Sequence, residues 1–357
     1  STQGVSSAAS DVYKRQGING EISNIEKSLQ TYLSPDYQWN TYKWTLSLSA
    51  PLRWTGYTGV GFSRISVNPS LSIIYKLNYA WRFTVHASYK ERYGEMTDLY
   101  DRPYQTDYRN SVWNCGILPV YRQQLYSVYG EYKNTAREFF ATVNLTHNRE
   151  WYNRIYEQRI ENGQVQRVSL PLSNHGSGYT VKSTLSKGFY DLGLKTSLMA
   201  LLNISKAEQI CGGQRLPYQY RLMRLEPKVI WTPNRHWETS YQTDIRYGGS
   251  KIGERTRLAP LWNVIQQVQL SYIFSPIEAS LSVDHYHNDV NEDQSVNAVF
   301  ADFSVLWKSG RWQITATATN LFDKRTYAYT RYASLESYTS WVRIRPREFL
   351  VAIRYRL

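Results

Sequence analysis

The chain has 357 residues, 42% of them apolar, and a mean hydropathy of −0.53; no run approaches the ~20 apolar residues of a spanning helix, which argues against a helical membrane protein. Lys and Arg outnumber Asp and Glu by 42 to 29, a formal charge of +13, yet the cations are scattered singly without a basic run or recognition helix, so nucleic acid is not an expected partner. Tyr (31) and Trp (12) are abundant and Met is scarce at three, a bias toward strand-formers whose amphipathic rings suit a boundary between water and lipid.

The first residues read apart from the rest. Asp11-Val-Tyr-Lys-Arg-Gln16 resembles a translated frame of a transposon-end sequencing adapter, so 1–16 is expected to be a non-native or disordered tail and 17–357 a barrel fragment. No export signal opens the chain, although an exported barrel needs one, and a longer gene product is therefore expected.

From about residue 41 onward, period-two alternation recurs. Trp81, Phe83, Val85, Ala87 and Tyr89 oppose Arg82, Thr84, His86, Ser88 and Lys90. Trp237, Thr239, Tyr241, Thr243, Ile245 and Tyr247 oppose His236, Glu238, Ser240, Gln242, Asp244 and Arg246, and Val264, Val268, Leu270 and Tyr272 oppose Gln267, Gln269 and Ser271. Runs of about ten residues match a tilted membrane strand better than the five or six of a soluble one. Short polar turns are expected around Pro51, Asn78, Asn134 to Arg137, Asp191, Pro233 to Arg235, Ser275-Pro276, Ser309-Gly310 and Pro346. Longer links are expected at Gly94 to Tyr121, Glu150 to Gln164, Ala207 to Pro217, Gly248 to Ala259 and Phe322 to Ser334. Eight turns imply about sixteen strands. Trp81, Trp231, Trp237, Phe274, Trp307, Trp312 and Phe349 all stand near a short turn, where they would form an aromatic girdle. The expected fold is all-β: a partial antiparallel transmembrane β-barrel of the cell outer membrane, with short periplasmic turns and long extracellular loops. A soluble array of β-repeats is the competing fold.

Chemistry is expected in the long loops. Tyr100, Arg102, Tyr104, Tyr108 and Trp113 lie among acids in the first, and Tyr327, Tyr329 and Arg331 in the last, a mix of rings and charge suited to ligand capture. The same tyrosines would serve equally to pack a solvated loop on itself. Arg343 on one strand and Arg354 and Arg356 on the next are expected to form a basic stripe in the lumen. Cys115 and Cys211 both fall in expected outer loops, a placement compatible with a disulfide. No phosphate loop, nucleophile elbow or paired-cysteine motif occurs, so no catalytic residue, metal site or cofactor is assigned. His285 and His287 share one strand face and read as polar rim residues rather than ligands. Asn144-Leu-Thr146 and Asn203-Ile-Ser205 match a glycosylation sequon but read as lumen polar residues.

Asn320-Leu321-Phe322-Asp323-Lys324 resembles a segment of TonB-dependent outer-membrane receptors. The final strand, in which Phe349, Val351, Ile353, Tyr355 and Leu357 alternate with Leu350, Ala352, Arg354 and Arg356, resembles the terminal signal read by the barrel-assembly machinery; it departs from the family at Leu357, where an aromatic residue is usual. The resemblance implies an active importer of about 22 strands, with a lumen plug that contacts TonB and a siderophore, glycan or peptide as ligand. Neither plug nor energy-coupling box is present in this sequence. Outer-membrane lipid, lipopolysaccharide and a surface lipoprotein are the further partners implied. A barrel without transport, as adhesin or porin-like channel, is the alternative.

Overall fold

In the computed structural model the alternating runs become antiparallel strands that follow one another in chain order. The structure describes residues 7–17, 20–57, 62–108, 110–161, 164–253, 256–290, 294–333 and 336–356. Among these, fifteen strands form one wall: β1 (Asp36–Asn40), β2 (Trp44–Ser49), β3 (Ser70–Lys76), β4 (Trp81–Tyr93), β5 (Val120–Asn134), β6 (Phe139–Tyr152), β7 (Asn174–Phe189), β8 (Leu194–Cys211), β9 (Gln214–Asn234), β10 (Trp237–Ile252), β11 (Thr256–Phe274), β12 (Ile277–Asp289), β13 (Ser295–Ser309), β14 (Trp312–Thr319) and β15 (Glu348–Tyr355). Each pairs antiparallel with the next.

The registers fix which way each side chain points, because residues directly opposite one another share a face. One row crosses eleven strands: Trp39, Leu46, Ile73, Val85, Val128, Leu145, Val181, Leu202, Met223, Tyr247 and Trp262. The next residue along each of the first eight strands gives Gln38, Ser47, Ser72, His86, Ser127, Thr146, Thr180 and Asn203, a polar row on the opposite face. A slip of one residue would exchange the two rows. The apolar row is not covered by protein: Val85, Val128, Leu145 and Met223 are 45–48% exposed. Only lipid satisfies such a surface, and only water satisfies the other, so the fold is a transmembrane β-barrel wall of the outer-membrane kind. Thr146 and Asn203 of the two sequons stand in the lumen-facing row, where Asn203 donates to Thr180 at 2.8 Å.

Six of the expected short turns lie together on one rim, at 77–80, 135–138, 190–193, 235–236, 275–276 and 310–311, and a turn that the sequence reading did not include, at 41–43, joins β1 to β2 there. Rings gather beside them, Trp81 on Tyr132 at 4.8 Å, Trp237 on Tyr272 at 4.7 Å and Trp312 on Tyr355 at 4.8 Å. Pro346 belongs to the opposite rim, because the segment before it pairs elsewhere.

Pro51 makes no turn. Pro35, Pro51 and Pro69 interrupt three neighbouring strands at one level, and the ladder resumes beyond them in the same register: Ser49 faces Asp36 and Ser70, while Leu52 faces Leu33 and Val67. A proline removes one donor from a ladder and leaves its carbonyl free to accept. The three carbonyls here accept from the backbone N–H of Ala50, Asn68 and Tyr89 at 3.1, 2.9 and 2.9 Å. Beyond this crease the strands Gly20–Leu33, Leu52–Tyr57 and Phe62–Val67 form a separate sheet, to which Ser7–Gly17, from the expected tail, adds an outer strand. Among the described residues the wall proper therefore has fifteen strands, against the roughly sixteen expected.

Two expected loops are strands instead. β8 and β9 run 18 and 21 residues and are joined by Gly212-Gly213, both left-handed with φ of +58° and +76°, the conformation of a two-residue hairpin turn. Eighteen residues make roughly 60 Å of strand against an apolar band about 25 Å tall, so Ala207 to Pro217 is a ribbon standing clear of the membrane. Gly248 to Ala259 continues β10 and β11 in the same way. Strand order places β15 next to β1; among the described residues no register joins the two, and both are exposed along their length.

Ile245 pairs with Leu225 and Val264 on the lipid face, while Gln242 opposes Lys228 and Gln267 on the lumen face. Ile245→Arg is predicted to cost about 2 to 4 kcal/mol of folding free energy near the midplane, and Gln242→Arg much less. Folding yield of the full-length protein into lipid vesicles checks this; equal yields would refute the register.

Candidate ligand-binding rim

Two assemblies rise from the long-loop rim. In the first, links 94–119 and 153–173 fold together. Strand Tyr104–Gln105 pairs with Asn110–Trp113, and Ile155–Glu161 with Gln164–Leu170. The two hairpins join because Asn110–Trp113 runs parallel to Gln164–Leu170, with Asn110 opposite Val165 and Trp113 opposite Val168. A parallel bridge from Glu157 to Ile210 ties the resulting sheet to the tip of β8. Ile155 and Val168 of this sheet and Ile210 of β8 are buried. At the base of both loops Asn153 accepts from the Val120 N–H at 2.8 Å and donates to the Leu118 carbonyl at 2.9 Å.

Charge holds this assembly in place. Glu157 is buried, but Arg159 donates to it at 2.7 Å and the Gly213 N–H at 3.0 Å, so the carboxylate retains partners after losing water. Arg154 reaches Asp98 at 2.9 Å and so links the two loops. The Tyr156 ring has the Arg167 guanidinium 3.7 Å and that of Arg154 5.0 Å from its centre. Burial pushes the Tyr156 phenol above its ordinary range, and the two arginines oppose that shift. Between the sheet and the wall lies a cleft of about 690 Å³, bordered by Asp107, Tyr156, Glu157, Arg167, Gln209 and Tyr218. The Gln209 Oε1 is buried there without a donor among the described residues. Such an acceptor costs about 1–3 kcal/mol until a donor reaches it.

The first predicted set is divided by this geometry. Tyr100 meets the Tyr104 ring edge-on at 5.9 Å, and Trp113 donates its indole N–H to the Asp101 carbonyl at 2.7 Å, so these three shape the loop. Arg102 and Tyr108 face solvent. The sequence does not mark Tyr156, Glu157, Arg167 and Gln209 as a group, because only the pairing of two distant loops brings them together. The one local hint is the run of charged and aromatic residues from Arg154 to Arg159, which reads equally well as a solvated loop.

The second assembly is the link between β14 and β15. Thr326–Ala333 pairs with Glu336–Arg343 as a hairpin of its own. Asn320 and Asp323 set its base, both in the left-handed region at φ +50° and +51°, which Asn and Asp tolerate better than other side chains. The buried Asn320 amide donates to the carbonyls of Lys324 and Arg345 at 2.9 Å each and accepts from the Lys324 N–H at 3.0 Å. Asp323 accepts from the Arg347 N–H at 3.0 Å and from Arg325 at 2.9 Å. These bonds clasp the chain where it leaves and re-enters the wall, and so place β15 beside β14. The Asp323 carboxyl is held below the usual carboxylate range, chiefly by the Arg325 side chain and then by the Arg347 N–H.

Tyr327 accepts from the Asn288 amide at 2.8 Å and packs edge-on against Tyr286 at 5.3 Å and Phe300 at 6.3 Å. Tyr286 and Phe300 have lumen-face parity, so the hairpin leans inward. Tyr329 and Arg331 lie on its first strand, with side chains outside the described ones. Arg343 is on its second strand and is thereby separated from Arg354, which opposes Gln313 on β14, and from Arg356, whose N–H donates to the Arg311 carbonyl at 3.0 Å. The expected three-arginine stripe is therefore divided. Phe349, Val351, Ile353 and Tyr355 share the lipid face of β15; Leu357 lies outside the described residues. Cys115 is a free thiol beside Ser169, and the side chain of Cys211 lies outside the described ones. His287 is bonded to Asn297 at 2.8 Å and lies 3.3 Å from Asp289.

No protein-family model and no curated protein matches the chain. Among solved structures it is similar to the siderophore receptor PirA from Acinetobacter baumannii, at 8% identity and a TM-score of 0.43 over 89% of this chain and 62% of that one. It is similar also to the ferric yersiniabactin uptake receptor FyuA from Yersinia pestis, at 10% identity and 0.36 over 93% and 62%. A third is the outer membrane transporter YddB from Escherichia coli, at 9% and 0.37 over 82% and 54%. The chain thus spans 54–62% of the length of these three proteins.

Asn320→Ala is predicted to loosen the final hairpin by about 2 to 4 kcal/mol, the loss of three bonds at a buried site. Asp323→Asn should be milder at neutral pH. Because the Asp323 pKa is depressed in the folded state, its contribution is present above the ordinary aspartate range and fades as pH falls through the folded-state value. Limited proteolysis of the hairpin against pH measures both; a pH response unchanged in Asp323→Asn would contradict the assignment.

Proposed function

We propose that this chain forms most of the wall of an outer-membrane receptor that captures a ligand at its long-loop rim and imports it through the lumen with energy delivered by TonB. The observation that carries the reading is the cleft between the rim sheet and the β8–β9 ribbon, where Tyr156 and Tyr218 offer rings, Arg167 offers donors, and Asp107, Glu157 and Gln209 offer acceptors. Such a mixture suits a polar ligand with both donors and acceptors, as in a siderophore, a glycan or a peptide.

The width of the wall supports a plugged design. About eight strands enclose only their own side chains, sixteen to eighteen leave a channel, and about 22 surround a plug. Fifteen strands, with no register between β1 and β15, already exceed what side chains alone can fill. Further strands would close the wall, and a plug would fill the lumen and touch TonB. The strand face of Phe349, Val351, Ile353 and Tyr355 is the surface offered to the assembly machinery, and a surface lipoprotein would sit over the rim. Catalysis has no part in this reading.

Growth of cells on a panel of ferric siderophores, glycans and peptides tests it. At least one compound should require both the full-length protein and TonB, and Tyr156→Ala with Arg167→Gln should lower its uptake about tenfold or more, the loss of a stacked ring and a charged bond. Uptake that needs neither TonB nor the cleft, with free passage of small sugars into vesicles, would replace import by a porin-like channel.

A further inference from the structure

The tight-turn rim, which faces the periplasm, is built at one place into a rigid platform. The turn at 41–43 is closed by Thr41, whose N–H donates to the Trp44 carbonyl at 2.7 Å and whose hydroxyl accepts from the Trp44 N–H at 3.0 Å. In the next turn, 77–80, the Asn78 side-chain oxygen accepts from the N–H groups of Ala80 and Trp81 at 2.9 and 2.8 Å. The two turns are tied to each other, because the Lys76 N–H donates to the Lys43 carbonyl at 2.8 Å. Backbone fixed in this way has little freedom left to lose when a partner arrives.

The platform displays two rings to water. Tyr42 and Tyr79 are 78% and 96% exposed, and their hydroxyls meet at 3.5 Å. The girdle rings Trp44 and Trp81 mark the membrane boundary, and each tyrosine stands two residues farther out. Two residues of strand span about 7 Å, which carries the rings to the watery edge of a head-group layer about 5 to 7 Å thick. Lys43 and Lys76 lie exposed beside them. Neither lysine has a carboxylate partner among the described residues, and the sequence holds no Asp or Glu over 37–49 or 70–81. Farther along the same rim Arg137, Tyr190 and Arg235 stand on successive turns, each two strands, or roughly 10 Å, from the next. Glu138 and Asp191 dilute the charge there, whereas the first two turns carry cations alone.

We propose that this platform docks the barrel on peptidoglycan, an anionic periplasmic polymer of sugars and short acidic peptides, with Tyr42 and Tyr79 stacked on sugar faces and Lys43 and Lys76 on the carboxylates. A tyrosine ring held by its turn offers a flat apolar face with a hydroxyl at the edge, which matches the apolar face and hydroxyl rim of a sugar ring. The unopposed lysines add an attraction that a neutral polymer does not feel. Cations and rings repeated from one hairpin to the next suit a linear polymer crossing several turns, since contacts made at once along one chain reinforce each other. The inference rests on the orientation of the wall and not on the cleft at the opposite rim or on import, so either can fail without the other.

The test uses the full-length protein assembled in cells, purified in detergent and mixed with peptidoglycan sacculi stripped of bound protein; the fraction that sediments with them is measured. Heat-shifted mobility on gels first establishes that each variant is folded. Tyr42→Ala with Tyr79→Ala, and separately Lys43→Gln with Lys76→Gln, should each weaken binding about fivefold or more. Tyr42→Phe with Tyr79→Phe, and Lys43→Arg with Lys76→Arg, should retain it, and Lys206→Gln with Lys251→Gln, toward the opposite rim, should leave it unchanged. Sacculi with amidated carboxyl groups should hold the unaltered protein as weakly as untreated sacculi hold the Gln variant. Equal sedimentation of the Ala, Gln and unaltered proteins would overturn the proposal. Binding to phosphatidylglycerol vesicles without binding to sacculi would overturn it too, and would give the platform to the inner leaflet instead.

Discussion

A backbone amide in hydrocarbon has no water to turn to, and the rest of this structure follows from that. Every wall strand must pair along its whole membrane length, and pairing in one register commits each residue to lipid or to lumen. The row from Trp39 to Trp262 and its polar neighbour from Gln38 to Asn203 are the visible result. Neither row needs a conventional core. Few apolar residues are buried among those described, and those that are, such as Ile155, Leu118 and Leu261, lie toward the rim rather than in the belt.

Away from the membrane the constraint relaxes, and the chain uses the freedom. The proline crease ends three wall ladders at one level and lets a separate sheet begin. The β8–β9 ribbon continues upward because Gly212-Gly213 closes it late, and the rim sheet then docks on its tip through Glu157 and Ile210. The final link solves a different problem, that of returning the chain to the place next to β14 after a long detour. Asn320 and Asp323 do this with side-chain bonds that hold the two ends of the detour together.

Strand identity is legible in the sequence wherever one face meets lipid, as from Trp81 to Tyr89 and from Trp237 to Tyr247, since there the solvent on each side imposes the alternation. It is not legible above the membrane. Ala207 to Pro217 lacks an alternation of apolar and polar faces because neither side meets lipid, so a paired ribbon reads like a loop. Pro51 reads as a turn because proline can end a strand as well as crease it, and local sequence does not tell the two apart. The candidate site is the least legible part. Tyr156, Arg167 and Gln209 come together only because two loops far apart in sequence pair in parallel, a contact that leaves no local pattern.

The central claim is that adjacent residues of a wall strand face lipid and lumen in strict alternation, and site-directed spin labels along β6 of the full-length protein in membranes test it most directly. Labels at Val143 and Leu145 should relax with oxygen dissolved in lipid, and labels at Asn144 and Thr146 with a water-soluble paramagnetic ion. A uniform response along those four positions would contradict the wall and everything built on its register.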